Sequence, residues 1–247
     1  AHHDVDFIQT CMMLFHEGKP VETPWFMPDK ASPNLSALLG VVTGGCFCPR
    51  CRQKALSLGY DWDAMVNELK ELERIATATP YKNNDVCMEL QMLLGSNLTE
   101  TGLLLEYPAL AQFLKFRVHC ITELMSEIYN GIKSIRPNVE FRYNNYLPYP
   151  ELAGLDFRAV APYLDSVRDS DYTEQKPILD DFRYKRGTLL KIRRGIGMDK
   201  PLIAAFACRP NATPEILKRS IGILATMGVD GFSLGHYDGS TNILLRS

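Results

Sequence analysis

The sequence predicts an α/β fold with a parallel sheet, and more specifically a (β/α)8 barrel of the TIM type. Apolar runs of strand length alternate with segments of helical periodicity along the 247 residues, which is the pattern of strand–helix repeats. These runs read as apolar on both faces, as expected of a parallel sheet covered by helices. Each run leads into polar residues, and a barrel places its functional groups at the carboxyl ends of its strands.

The alternative architecture is an open, doubly wound sheet. No G-x-G-x-x-G follows a predicted strand, although that motif is typical of dinucleotide-binding sheets. Residues 1–247 are therefore expected to form one partial barrel domain with a cysteine-loop insertion at about 20–60. An upstream segment or an oligomeric partner would complete the barrel. The five predicted strands are Val5–Phe15, Val139–Tyr146, Asp165–Tyr172, Pro201–Pro210 and Val229–Gly239.

Residues typical of helix starts and of amphipathic helices lie between these predicted strands. Asp61 is a candidate N-cap, and Met65, Leu69 and Leu72 follow it on one face. A second helix is expected to begin after Thr213, a residue type that favours the N-cap position. The longest helix is predicted from Pro108 to Ile135, with an apolar stripe of Phe113, Phe116, Cys120, Leu124, Ile128 and Ile135.

Net charge, hydropathy and cysteine content indicate which ligands and which cellular compartment are unfavourable for this chain. The net charge is −2, which does not favour nucleic acid or an anionic membrane as a ligand. No apolar run reaches the roughly 18 residues needed to span a bilayer. The seven cysteines do not form a disulfide-scaffold pattern, so a reducing, cytoplasmic compartment is favoured.

Three cysteines are crowded into "CFCPRC". Cys46, Cys48 and Cys51 follow two glycines that allow a sharp turn. Closely spaced thiolates are typical zinc ligands, and a site closed by four protein ligands is structural. The fourth ligand is predicted to be Cys11, with His16 and Cys87 as alternatives.

The stretch "CFCPRCRQKALSLGYDWDAM" resembles the cysteine loop of glycoside-hydrolase barrels, the family 42 β-galactosidases in particular. The closing "MGVDGFSLGHYDG" is similar to the last strand of such barrels. The resemblance implies a carbohydrate-active enzyme with a structural zinc and no organic cofactor. Those β-galactosidases carry an Asn-Glu pair after the fourth strand and a Glu after the seventh. This chain has no Asn before Glu17 and no carboxylate after "AAFA", so that catalytic pair does not carry over.

Glycoside hydrolysis needs two carboxylates flanking the scissile bond. Asp171 and Asp238 are the predicted pair, with Glu17 in reserve, because all three lie at the ends of predicted strands. Alternation along "RDSDY" is expected to direct Asp169 and Asp171 to the same side, inward in a regular strand. Residues at strand ends and in a Pro-rich loop are expected to bind the sugar: Trp25, Asn144, Asn145, Asp169, Tyr172, Arg209, His236 and Tyr237.

The predicted function is hydrolysis of a glycosidic bond in a carbohydrate substrate. Two alternatives remain open at this point. One is a barrel lyase or isomerase that uses His236 as base and Asp238 to orient it. The other is a non-catalytic domain that binds carbohydrate or acts as a scaffold.

Overall fold

A computed structural model describes residues 5–11, 46–78, 104–145, 150–170, 181–207 and 213–235. Short 3-10 turns occupy Pro150–Ala153 and Ala161–Tyr163. The remaining regular elements of these ranges are five strands and six helices: β1 Phe7–Cys11, α1 Pro49–Ser57, α2 Trp62–Ala78, α3 Pro108–Ile135, β2 Glu140–Asn145, α4 Phe157–Val160, β3 Ser166–Asp169, α5 Asp181–Ile196, β4 Leu202–Ala207, α6 Pro214–Ala225 and β5 Gly231–Gly235.

The five strands form one parallel sheet, in which the spatial order is the same as the order along the chain. Each strand pairs with the next one, from β1 through to β5. The predicted parallel α/β sheet is therefore confirmed. The order shows no reversal of the kind that marks a doubly wound sheet.

The two faces of the sheet differ in polarity, which corrects the expectation that both are apolar. On one face Phe141 packs against Tyr129 of α3, and Tyr143 packs against Phe157 of α4. The alternate residues of β2 form the opposite face, and they are Glu140, Arg142 and Asn144. These polar groups are tolerated because they hydrogen-bond one another and side chains of β3, as buried polar groups must.

The chain divides into two compact units. The first consists of Ala1–Met13, Thr122–Pro148 and Asp156–Ser247, and it contains the sheet. The second consists of Leu14–Ile121 and Tyr149–Leu155, and it contains the cysteine loop. Helix α3 contributes residues to both units.

The second unit is built around the apolar faces of α2 and of the first half of α3. Asp61 caps α2 as predicted, since its Oδ1 accepts a hydrogen bond from the Ala64 amide at 3.0 Å. Half-buried Glu68 joins the two helices, because its Oε2 accepts a hydrogen bond from the Leu110 amide at the start of α3. The core consists of Ala55, Trp62, Met65, Leu69, Leu72, Ala109, Leu110, Phe113 and Phe116.

Helix α3 has the predicted bounds, but its apolar stripe is only partly right. Phe113 and Phe116 are buried, whereas Leu124 and Ile135 are 41% and 81% exposed. Met125 is buried in the second half of the helix instead. The helix has different neighbours along its length, so its buried face shifts. No helix in the described ranges combines the length and apolar character that a membrane span requires.

Candidate functional site

The three cysteines of the loop lie together at the amino end of α1. Their sulfur atoms are all within 4.8 Å of one another. Cys46 and Cys48 are exposed, Cys51 is half-buried, and all three are free thiols. Two sulfurs bound to one zinc at about 2.3 Å in a tetrahedron lie about 3.8 Å apart. The cluster can therefore hold a metal ion with little rearrangement.

The start of the helix, burial and the neighbouring thiols give Cys48 and Cys51 different proton affinities. The Cys48 side chain closes no capping hydrogen bond with α1. Even so, the Cys51 amide, followed by the Cys46 and Cys51 thiols, lowers the pKa of Cys48 to about 7. Burial, followed by the other two sulfurs, raises the pKa of Cys51 to about 12. Without a metal, Cys48 therefore ionises at a lower pH than Cys51.

Phe47 anchors the loop to its own unit. Its ring stacks on Phe113 of α3, with ring centroids 5.9 Å apart and planes inclined by 6°. It also makes an edge contact with Trp62 at the start of α2, at 6.2 Å. Because Phe47 lies between two of the cysteines, this packing fixes the position of the thiols as well.

The predicted fourth ligand is in a different part of the chain. Cys11 is the last residue of β1 and belongs to the unit that holds the sheet. Its side chain lies outside the described structure, as do His16 and Cys87, so its role as a ligand stays a prediction.

A largely buried polar network lies at the carboxyl ends of β2 and β3 and reaches half-buried Ser233 in the middle of β5. Arg168 is 8% exposed, and its Nη1 donates to Asn144 Oδ1 at 2.9 Å and to Ser170 Oγ. The Nε of Arg168 donates to Ser233 Oγ at 3.0 Å. This bond links β3 to β5 across the intervening strand β4. The Ser170 hydroxyl also donates to Asn144 Oδ1 at 2.5 Å. Among the described residues, the acceptors of Arg168 are thus all neutral.

A second polar pair lies at the same edge but on the other face of the sheet. Asn145 Nδ2 donates to Asp169 Oδ1 at 2.8 Å, and neither residue is exposed. Because alternate strand residues point to opposite faces, Asn145 shares the helix-packed face with Tyr143, and Asp169 shares it with Val167. The expectation that Asp169 points inward, away from the helices, is therefore wrong. Asn144 is the predicted sugar-binding residue that joins the Arg168 network.

Most of the predicted chemical groups lie outside the described residues. The structure brings together Asn144 with Arg168, Asn145 with Asp169, and the three cysteines of the loop. The separation of the predicted catalytic carboxylates stays open, and so do the positions of the sugar-binding candidates at other strand ends. The residues outside the described ranges are Asp171, Asp238, Glu17, Trp25, Tyr172, Arg209, His236 and Tyr237.

Charged contacts hold the opposite, amino edge of the sheet. Asp165 Oδ2 accepts from the Phe141 amide at 2.8 Å and pairs with Lys133 Nζ at 2.7 Å. Asp230 Oδ2 accepts from the Leu202 amide at 2.7 Å and pairs with Arg193 at 2.6 Å. We call these two arrangements the amino-edge clasps.

The Lys133 and Arg193 side chains of the two clasps also donate hydrogen bonds to backbone carbonyls of neighbouring turns. The Lys133 ammonium donates to the carbonyl of Val139 at 2.7 Å. The Arg193 guanidinium donates to the carbonyls of Gly197, Lys200 and Gly228, at 2.9–3.0 Å. Each clasp thus joins the end of a helix to two neighbouring strands.

The clasps also set the acidity of their carboxyl groups. Burial alone would raise the pKa of Asp165, but the Lys133 ammonium, the Phe141 amide and the Tyr129 hydroxyl outweigh it, and the pKa is lowered. The pKa of Asp230 is lowered mainly by the Leu202 amide, against a smaller effect of burial, and Arg193 lowers it further. Both groups therefore stabilise the fold in the ionised state.

Sequence reasoning missed Arg168, Ser170 and Ser233. A signal for the first two is present, since alternation places Arg168 and Ser170 two residues apart on the same face of β3. Ser233 is 65 residues from Arg168, and no local pattern connects them. The clasp carboxylates were missed as well, although each stands directly before a strand.

Comparison of the chain with protein-family models and with curated proteins finds no match in either set. The likeness of the cysteine loop to family 42 β-galactosidases therefore rests on the sequence motif alone.

Proposed function

We propose that the protein is a carbohydrate-active enzyme of the glycoside-hydrolase type. Its sugar site lies at the carboxyl edge of the parallel sheet, and a zinc ion braces its cysteine loop. The observation that carries the proposal is the network of buried Arg168, Asn144 and Ser170 with half-buried Ser233. It concentrates hydrogen-bonding groups at the edge where parallel α/β folds bind their ligands.

The sheet supports a partial barrel as the scaffold of this site. Its order from β1 to β5 follows the chain without a crossover between non-neighbouring strands, as in a barrel. The polar face carries side chains in two levels along the strands. Ser166 and Arg142 both bond Glu140 at the lower level, and the Arg168 network forms the upper level. Side chains stacked in levels are typical of a barrel interior.

The polar residues of the network suit sugar recognition. Amide and hydroxyl groups act both as donors and as acceptors, and so do sugar hydroxyls. Arg168 adds a cationic donor whose hydrogen bonds are stronger than neutral ones. The catalytic carboxylates of the proposal are Asp171 and Asp238, as the sequence predicts.

For the cysteine loop we propose zinc as the metal. Three thiolates on one tight loop match the soft-ligand sets that zinc prefers. Because the loop is packed on α2 and α3 through Phe47, the ion would brace this unit. In this proposal the zinc has a structural role, and the chemistry on the sugar belongs to the carboxylates.

The catalytic proposal is tested with a panel of nitrophenyl glycosides, including galactosides, glucosides, mannosides and xylosides. Wild-type protein should cleave at least one of them. Asp171→Asn and Asp238→Asn should each lower kcat by about 10²–10⁴-fold, the usual contribution of one acid or base.

Asp156→Asn is the matched control. Asp156 caps α4 by accepting from the Arg158 amide at 3.0 Å, and Asn caps helices as well as Asp does. The same chemical change there should leave activity unaltered. Sugar binding without cleavage would instead indicate a non-catalytic binding domain. Absence of both binding and cleavage would contradict the proposal.

A further inference from the structure

The cysteine loop supplies three thiolates, whereas a structural zinc site takes four protein ligands. The fourth ligand should come from a residue that the loop already approaches. This inference rests on the proposed zinc site and adds one ligand to it.

Among the described residues, the packing of the loop points to the first half of α3. Phe47 stacks on Phe113, so the residues on either side of it lie over the same helix. Cys51 packs against the hydrophobic core that includes Phe113 and Phe116. The thiols therefore lie beside the face of α3 that carries these two aromatic residues.

Cys120 lies on that face of α3. It follows Phe113 by seven residues and Phe116 by four, which are helical spacings for one side of a helix. Like Cys51, it is half-buried and packs against the same core. It is also close enough to Cys46 and Lys54 to interact with both electrostatically. Its sulfur lies outside the group of loop sulfurs that are within 4.8 Å of one another, so its side chain must move towards them to bind the same ion.

We infer that Cys120 is the fourth zinc ligand, so that the ion ties the cysteine loop to α3. Each thiol that is still protonated releases its proton to the solvent when the metal binds. The resulting four-thiolate site carries a net charge of −2, and Lys54 offsets part of it. The sequence points to Cys11, but the packing of the described residues points to Cys120.

The direct test is cadmium NMR of the full chain after exchange of the bound metal for cadmium. Scalar couplings between cadmium and cysteine β-protons identify the ligands without any substitution. We expect couplings to Cys46, Cys48, Cys51 and Cys120. Coupling to the first three together with Cys11 or Cys87, or with ring protons of His16, would overturn the inference but leave the zinc loop intact. Failure to bind any metal would instead refute the proposed zinc site.

A variant series gives a second, independent readout. In the cobalt-loaded protein, Cys120→Ser should remove about one quarter of the thiolate charge-transfer absorption, because one sulfur ligand of four is lost. Its zinc affinity should fall by more than the roughly 10–100-fold typical of losing an outer-shell partner. Cys11→Ser is the matched control and should leave absorption and affinity unchanged. The reverse result for the two variants would overturn the assignment.

Discussion

The two edges of the parallel sheet are built from different chemistry. At the amino edge, Asp165 and Asp230 each bond a backbone amide of one strand and a cation from a helix. At the carboxyl edge, Arg168 is held by Asn144 and two serine hydroxyls. At the amino edge, charged side chains bond backbone groups and one another, whereas at the carboxyl edge the bonds of Arg168 join polar side chains. The amino edge maintains the fold, and the carboxyl edge is where we propose that the sugar binds.

The largest effect on stability is expected for Asp165→Ala. The substitution leaves the Phe141 amide and the Lys133 ammonium without their carboxylate, which should lower the free energy of unfolding by about 2–4 kcal/mol. Urea denaturation measures the change. Asp63→Ala is the control, because Asp63 belongs to an exposed pair at 3.5 Å of a kind worth about 0–1 kcal/mol. An equal loss in both variants would refute the clasp.

Acid should weaken the amino edge in the same way, but to a smaller extent. The pKa values of Asp165 and Asp230 are lowered in the folded protein, so their ionised forms contribute stability above the unfolded pKa of about 4. That contribution is lost as the pH falls through the lower folded pKa values. Urea denaturation at several pH values below 5 should show a steeper loss for wild type than for Asp165→Ala. Identical slopes would contradict the pKa assignment.

A smaller effect is expected for Asp230→Ala. The side chain of Asp230 is 49% exposed, against 29% for Asp165, so water compensates more of the loss. The free energy of unfolding should fall by about 1–2 kcal/mol. A loss larger than that of Asp165→Ala would show that burial does not set the strength of the two clasps.

The smallest effect on stability is expected at the carboxyl edge. Ser233→Ala removes one neutral acceptor of Arg168 and should cost about 0.5–1.5 kcal/mol. Sugar binding should nevertheless weaken measurably in calorimetric titration, because Arg168 loses one of its fixed contacts. Ser134→Ala is the control, since Ser134 bonds only a carbonyl of its own helix. Unchanged sugar affinity in Ser233→Ala would refute a role for the network in binding.

Much of the fold could be predicted from the sequence, because helix periodicity and helix caps depend on residues close together in the chain. The bounds of α3 and the Asp61 cap follow from periodicity and residue type, and both are confirmed. The cysteine cluster is equally local, since three thiols within six residues meet whenever their loop is compact. Contacts between distant segments left no such signal. The bond from Arg168 to Ser233 depends on two strands that flank a third, and alternation alone did not reveal that one face of the sheet is polar.

The central claim, that sugars bind at the carboxyl edge, is tested most directly by NMR chemical-shift mapping. Galactose, glucose, mannose and xylose are added in turn to isotope-labelled wild-type protein. The account predicts that at least one sugar shifts the side-chain signals of Asn144 and Arg168 Nε–H, while the clasp amides of Phe141 and Leu202 stay unchanged. Shifts confined to Phe141 and Leu202, or no shift with any of these sugars, would contradict it.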